Sequence, residues 1–225
     1  MKIILKPNGV ITMEFPHIMQ LISKNQFDTI YHEHFSYLSF FTVQKIFEFH
    51  KLKIFDVEEL STHGGSLRIF VTHAENTTHV KNVNVDNLLK KEFEFGINQI
   101  LIYENFQKQI INVKDNLYKF VTTTIKNRKK IVCYGAPAKG NTLLNYCNLG
   151  LDFIDYVVDR SPHKQGLYLP GTHIPIKSTE EIKKTKPDYL LILPWNLQEE
   201  IMIQMDFIKE WGGKFVIPIP EVKII

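Results

Sequence analysis

Apolar and polar positions change their rhythm three times along this chain. Leu67, Ile69 and Val71 alternate with Ser66, Arg68 and Phe70, the two-residue period of a strand with one buried face. Strands are also predicted over Gly9–Phe15, after a Pro7-Asn8-Gly9 turn, and over Leu52–Val57. Between them, Val43, Ile46 and Phe47 share one face of a helix over Thr42–His50. From about Val85 to Asn127 the period lengthens: Phe106, Ile110, Val113, Leu117 and Phe120 recur at spacings of four and three, the stripe of one long helix or a broken pair. Beyond Lys129, short apolar runs at Lys130–Tyr134, Phe153–Val158, Tyr189–Leu193 and Lys214–Ile217 read as strands. Helical segments at Lys139–Cys147 and Leu197–Glu210 separate them.

Short apolar strands alternating with helices are the pattern of a parallel, doubly wound sheet. Residues 129–225 are therefore expected to form a Rossmann-like α/β domain, and 81–128 a helical connector. Residues 1–80 are expected to supply the late strands of a mixed sheet. Lys plus Arg number 27 against 24 Asp plus Glu, a formal charge of +3. So balanced a surface argues against nucleic acid as a partner. The opening Ile3-Ile4-Leu5 is broken at once by Lys6-Pro7-Asn8-Gly9 and no long apolar run follows, which predicts a soluble, cytoplasmic protein without a membrane span. Cys133 and Cys147 are the only cysteines and form neither a disulfide framework nor a zinc pattern.

Three clusters carry chemistry. Asp28-Thr29-Ile30-Tyr31-His32-Glu33-His34 gathers a phenol, two imidazoles and a carboxylate in four consecutive positions, groups suited to moving protons near neutrality. A helical turn would put Tyr31 and His34 on one face; an extended segment would pair His32 with His34. A polar loop is a further reading, and so is a metal site on His32 and His34 with His63 or His73 as third ligand. The second cluster, His63-Gly64-Gly65-Ser66-Leu67-Arg68, opens a strand with paired glycines, and Arg68 could meet a phosphate or carboxylate. The third, Tyr134-Gly135-Ala136-Pro137-Ala138-Lys139-Gly140-Asn141-Thr142, links a strand to a helix, where amides and the helix dipole favour anions. Its glycines are five apart and Lys139 precedes the second one, which fits neither a dinucleotide fingerprint nor a Walker A loop. Lys139 and Asn141 are candidate phosphate contacts. Asp159, ending the next strand, occupies the place of a ribose-binding acid.

In this order, these clusters resemble the sugar C-methyltransferases that act on thymidine-diphosphate-linked 4-keto deoxy sugars. Leu5-Lys6-Pro7-Asn8-Gly9-Val10, Phe27 to Tyr37, His63 to Arg68 and Gly135 to Leu144 carry the resemblance. It implies the C-terminal part of a three-part enzyme: a partial class I methyltransferase sheet beginning near its fifth strand, then a nucleotide-fold domain that helps hold the sugar nucleotide. The zinc module and the S-adenosylmethionine loop of that family have no counterpart in these residues, so the chain is expected to be a truncated form and no metal is expected in it. The implied reaction is C-methylation by S-adenosylmethionine beside the ketone of a nucleotide-diphosphate sugar, through an enolate. His34 would be the base, with Tyr31 and Glu33 orienting it or stabilising the enolate. Ser66, Arg68, Lys139 and Asn141 would supply diphosphate contacts where the two domains meet. A non-catalytic nucleotide- or sugar-nucleotide-binding module is the alternative, and a nicotinamide-dependent oxidoreductase a third reading.

Overall fold

A computed structural model describes residues 1–225, which form two compact units. The first comprises 1–24 and 35–106; the second comprises 25–34 and 107–225.

The first unit opens with β1 (Ile11–Pro16) and α1 (Ile18–Ser23), followed by α2 (Phe40–Phe49), β2 (Leu52–Leu60) and β3 (Ser66–His73). β3 lies in the middle and is antiparallel to both neighbours, with Phe15 opposite Leu67 and Leu60 opposite Ser66. β1 and β2 therefore point the same way on either side of it. Leu67, Ile69 and Val71 are fully buried while Arg68 and Phe70 are half-exposed, as the alternation requires. Phe40, Val43 and Phe47 of α2 cover this face, joined by Val85 and Leu88 of α3 (Val83–Phe95). A buried ionisable pair accompanies the core: Glu92 accepts the amides of Phe40 and Phe41 at the start of α2, at 2.7 and 2.8 Å, and meets His17 Nε2 at 2.7 Å. A carboxylate there satisfies helix-end donors that water does not reach.

The region 85–127 resolves as a broken pair, with the stripe from Phe106 to Phe120 wholly on its second helix. α3 ends at Gly96, and α4 (Ile100–Lys126) runs on from the first unit into the second. Val113, Leu117, Val121 and Thr124 form its buried line in the second unit. No helix is long and apolar enough to cross a membrane.

The second unit continues with β4 (Ile131–Tyr134), α5 (Ala138–Tyr146), β5 (Val157–Val158), β6 (Ile176–Lys177), α6 (Glu181–Thr185), β7 (Tyr189–Ile192), α7 (Gln198–Gln204), β8 (Lys214–Ile217) and β9 (Lys223–Ile224). The sheet order is β6-β5-β4-β7-β8-β9, parallel throughout except for β9. This is the α/β, doubly wound arrangement expected, with its switch point between β4 and β7.

Three details depart from the sequence reading. The strand expected over Phe153–Val158 reduces to two residues, because the amides of Phe153 and Ile154 both turn back to the Gly150 carbonyl. The helix expected over Leu197–Glu210 stops at Gln204 and gives way to a 3₁₀ turn over Asp206–Trp211. β6, α6 and β9 were not foreseen. Cys133 and Cys147 are both buried. Burial holds their thiols well above the ordinary range, that of Cys147 at about 12, so both act as small core residues.

Candidate functional site

The segment Asn25–His34 belongs to the second unit although the sequence on both sides of it belongs to the first. A 3₁₀ turn over Phe27–Thr29 packs on α5, with the Phe27 and Tyr146 rings 5.1 Å apart. The chain then turns again. The His34 amide donates to the Tyr31 carbonyl at 3.0 Å, and this closure brings His34 Nε2 within 3.0 Å of the Tyr31 hydroxyl. The two rings meet edge to face, with centroids 4.7 Å apart. Of the two geometries open to the sequence, the turned one is realised, so Tyr31 and His34 form the pair. Both are half-buried, whereas His32 and Glu33 are exposed. A phenol hydrogen-bonded to an imidazole can pass a proton between them or hold the ring in one tautomer.

Directly before this turn lies a buried carboxyl that the sequence did not assign a role. Asp28 is fully buried, and its Oδ2 accepts a 2.7 Å hydrogen bond from the indole Nε1 of Trp195, also buried. Its Oδ1 meets no side-chain donor. Burial pushes the carboxyl up to about 7, against the opposing pull of the indole N–H and of the Lys139 charge. Lys139 is itself 9% exposed. Its Nζ donates to Asn196 Oδ1 at 2.7 Å and lies 4.5 Å from the Trp195 ring centre. Desolvation holds this amine below its ordinary range, partly offset by Asp28.

The strand–helix turn after β4 is occupied by the protein itself. Ala136 N–H donates to Asp159 Oδ2 and Ser161 N–H to Asp159 Oδ1, each at 2.8 Å, while Lys164 Nζ donates to the Ala136 carbonyl at 2.9 Å. Asp159 thus fastens the turn with both oxygens, where the oxidoreductase reading required it to face a ribose. Gly135 has φ +86, and a Cβ on it would fall 2.6 Å from Pro194 Cδ, so only glycine lets β4 leave the sheet so close to the end of β7. Beside this turn, at the carboxyl ends of β4, β5 and β7, a cleft of about 220 Å³ is lined by Tyr134, Asp159, Arg160, Lys164, Glu200 and Gln204 among others.

The remaining sequence candidates are scattered. In the first unit, Ser66 is buried and its hydroxyl donates to the Thr62 carbonyl at 3.2 Å. Arg68 pairs with Glu14 at 3.1 Å and Glu58 at 3.5 Å. Gly65 has φ +135, and the Gln20 side chain fills the place where its Cβ would stand, so this glycine admits part of α1. In the second unit, Asn141 Oδ1 is buried without a hydrogen-bond donor. No three His, Cys, Asp or Glu side chains are gathered so as to hold a metal ion.

The model of the C-methyltransferase C-terminal domain family matches residues 61–220. The chain belongs to that family. It is 38% identical over 222 residues to the C-methyltransferase NovU of Streptomyces niveus. That match covers 99% of this chain and 53% of NovU, so the chain spans about half the length of its curated relative. Among solved structures, UDP-D-quinovosamine 4-dehydrogenase from Vibrio fischeri aligns with 40% of this chain and 76% of its own, at 21% identity and a TM-score of 0.31. So slight a likeness carries no argument about this domain.

Proposed function

We propose that this chain provides the substrate-side half of a C-methyltransferase, one that methylates the carbon beside the ketone of a nucleotide-linked deoxy sugar. The observation that carries the reading is the 3.0 Å hydrogen bond between Tyr31 and His34. It is supported by family membership and by the NovU match. Within this reading, the Tyr31 hydroxyl holds the His34 ring through Nε2 in the free chain and gives up that place to the substrate. The freed Nε2 then takes the proton from the carbon next to the ketone, the electron pair of that bond moves into an enolate, and Tyr31 can return to receive the proton afterwards. Glu33, exposed in the same turn, stabilises the imidazolium once formed. S-adenosylmethionine supplies the methyl group. Between β1 and α1 the chain passes straight through His17, without the glycine-rich loop that would hold the cofactor.

We assign the sugar-diphosphate contacts to members of the set Ser66, Arg68, Lys139 and Asn141, which differ in how freely each could meet a ligand. Asn141 has a buried acceptor without a donor, a natural partner for a sugar hydroxyl. Arg68 is exchangeable, since its ion pairs are partly exposed and therefore weak. Lys139 would have to leave Asn196 and the Trp195 ring, and Ser66 the Thr62 carbonyl.

Titration of thymidine diphosphate and a thymidine-diphosphate sugar into the folded chain by calorimetry tests this reading. Saturable binding is expected. Arg68→Ala should weaken the diphosphate by about tenfold, the value of one charge-assisted hydrogen bond. Asn141→Ala should weaken only the sugar-bearing ligand. A folded chain that binds neither ligand would refute the sugar-nucleotide assignment.

A further inference from the structure

The Tyr31–His34 turn is preceded by residues that tie it to the rest of the second unit, and Asp28 makes a buried, directional contact among these. Phe27 contributes a ring contact with Tyr146, and Asn25 an exposed hydrogen bond to the Pro220 carbonyl. Asp28 contributes the buried 2.7 Å bond to the Trp195 indole, across 167 residues of sequence. We propose that Asp28 is a positioning residue for the Tyr31–His34 pair, acting by clasping Trp195 beyond the carboxyl end of β7. This rests on the reading of that pair as the proton-handling group.

Two features separate the clasp from ordinary packing. An apolar side chain would fill the same space without the cost of desolvating a carboxyl, and here the one side-chain donor that meets the carboxyl is the indole N–H, beside weaker backbone interactions with the Asp28 and Thr29 amides. What the carboxyl adds is direction, because a hydrogen bond fixes the angle of the 27–29 turn as well as its distance. The indole is itself immobilised from the other side. Lys139 lies over its ring and is bonded to the adjacent Asn196, while Pro194 is wedged against Gly135. The rigid exit of β7 is thereby linked through Trp195 and Asp28 to a turn that begins three residues later.

The test is nuclear magnetic resonance on the intact, isotopically labelled chain. In the wild type, the Tyr31 and His34 rings should show a mutual Overhauser contact, as their 4.7 Å separation requires. Trp195→Phe keeps an aromatic ring and removes the N–H; Asp28→Ala removes the acceptor. Both should lose that contact and shift the His34 ring signals. Asp28→Asn keeps an acceptor oxygen and should restore both signatures, a rescue that loss of general packing would not give. Trp195→Phe and Asp28→Ala chains with the Overhauser contact and His34 signals of the wild type would overturn the proposal. Should these two variants not fold, the wild type decides. Its Trp195 indole N–H should exchange with solvent about a hundredfold more slowly than that of free tryptophan, and exchange at the free rate would equally overturn it. None of these readouts needs turnover, so they stand or fall apart from the methyl-transfer reading, which His34→Ala tests by itself.

Discussion

Replacing His34 by alanine should slow C-methyl transfer roughly 10²- to 10⁴-fold, the range expected when a positioned general base is removed. The measurement is transfer of a labelled methyl group from S-adenosylmethionine to the keto-sugar nucleotide, made in the protein that carries both halves of the reaction. The loss should appear in kcat more than in KM, because the imidazole acts on a proton that moves only in the transition state. Tyr31→Phe should cost less. It removes the hydroxyl that contacts Nε2 but leaves the base and the edge-to-face ring packing in place. A His34→Ala protein with the full rate would eliminate His34 as the base, whatever its effect on stability.

The second large effect is on stability and depends on pH. Asp28 is pushed up to about 7 in the folded chain by burial, whereas an unfolded aspartate ionises near 4. The folded state therefore binds a proton that the unfolded state has released between these values. Stability drawn from Asp28 is full below about pH 4, falls as pH rises through that window, and is lost above about pH 7. Three pH units correspond to up to about 4 kcal/mol. Asp28→Asn cannot titrate, so its stability relative to wild type should improve by about 2 to 3 kcal/mol between pH 5 and pH 8, the first unit of the effect having been lost already below pH 5. Urea unfolding of both proteins at the two pH values measures this, with the other titrating groups cancelling in the difference. An unchanged difference would mean that Asp28 ionises normally and is not buried as described.

Where side-chain rhythm and burial coincide, the fold was legible. β3 alternates because one of its faces is covered by α2 and α3, and β4 and β7 are continuous apolar runs because both faces of the parallel sheet are covered. Two-residue strands such as β6 and β9 carry no period, so nothing in the sequence announces them. The stretch after Gln204 was misjudged for a related reason, since six residues do not separate a period of 3.0 from one of 3.6.

The candidate site divides in the same way. Tyr31 and His34 could be named because their types and spacing are local, and the structure had only to choose between two local geometries. Asp28 could not be assigned a role: its meaning depends on Trp195, which is distant in sequence and adjacent only in the fold. Lys139 and Arg68 illustrate the converse. A cation near a glycine turn reads as available for phosphate, yet one is buried against Trp195 and the other is paired with two glutamates.

The most direct test of the account is deuterium exchange at the carbon beside the ketone. The 225-residue chain is incubated with a thymidine-diphosphate-linked 4-keto deoxy sugar in deuterated water, without a methyl donor. Proton abstraction by His34 predicts that the wild-type chain incorporates deuterium at that carbon well above the uncatalysed rate and that His34→Ala does not. Exchange at the same rate in both proteins would contradict the assignment of the Tyr31–His34 pair as the base that forms the enolate.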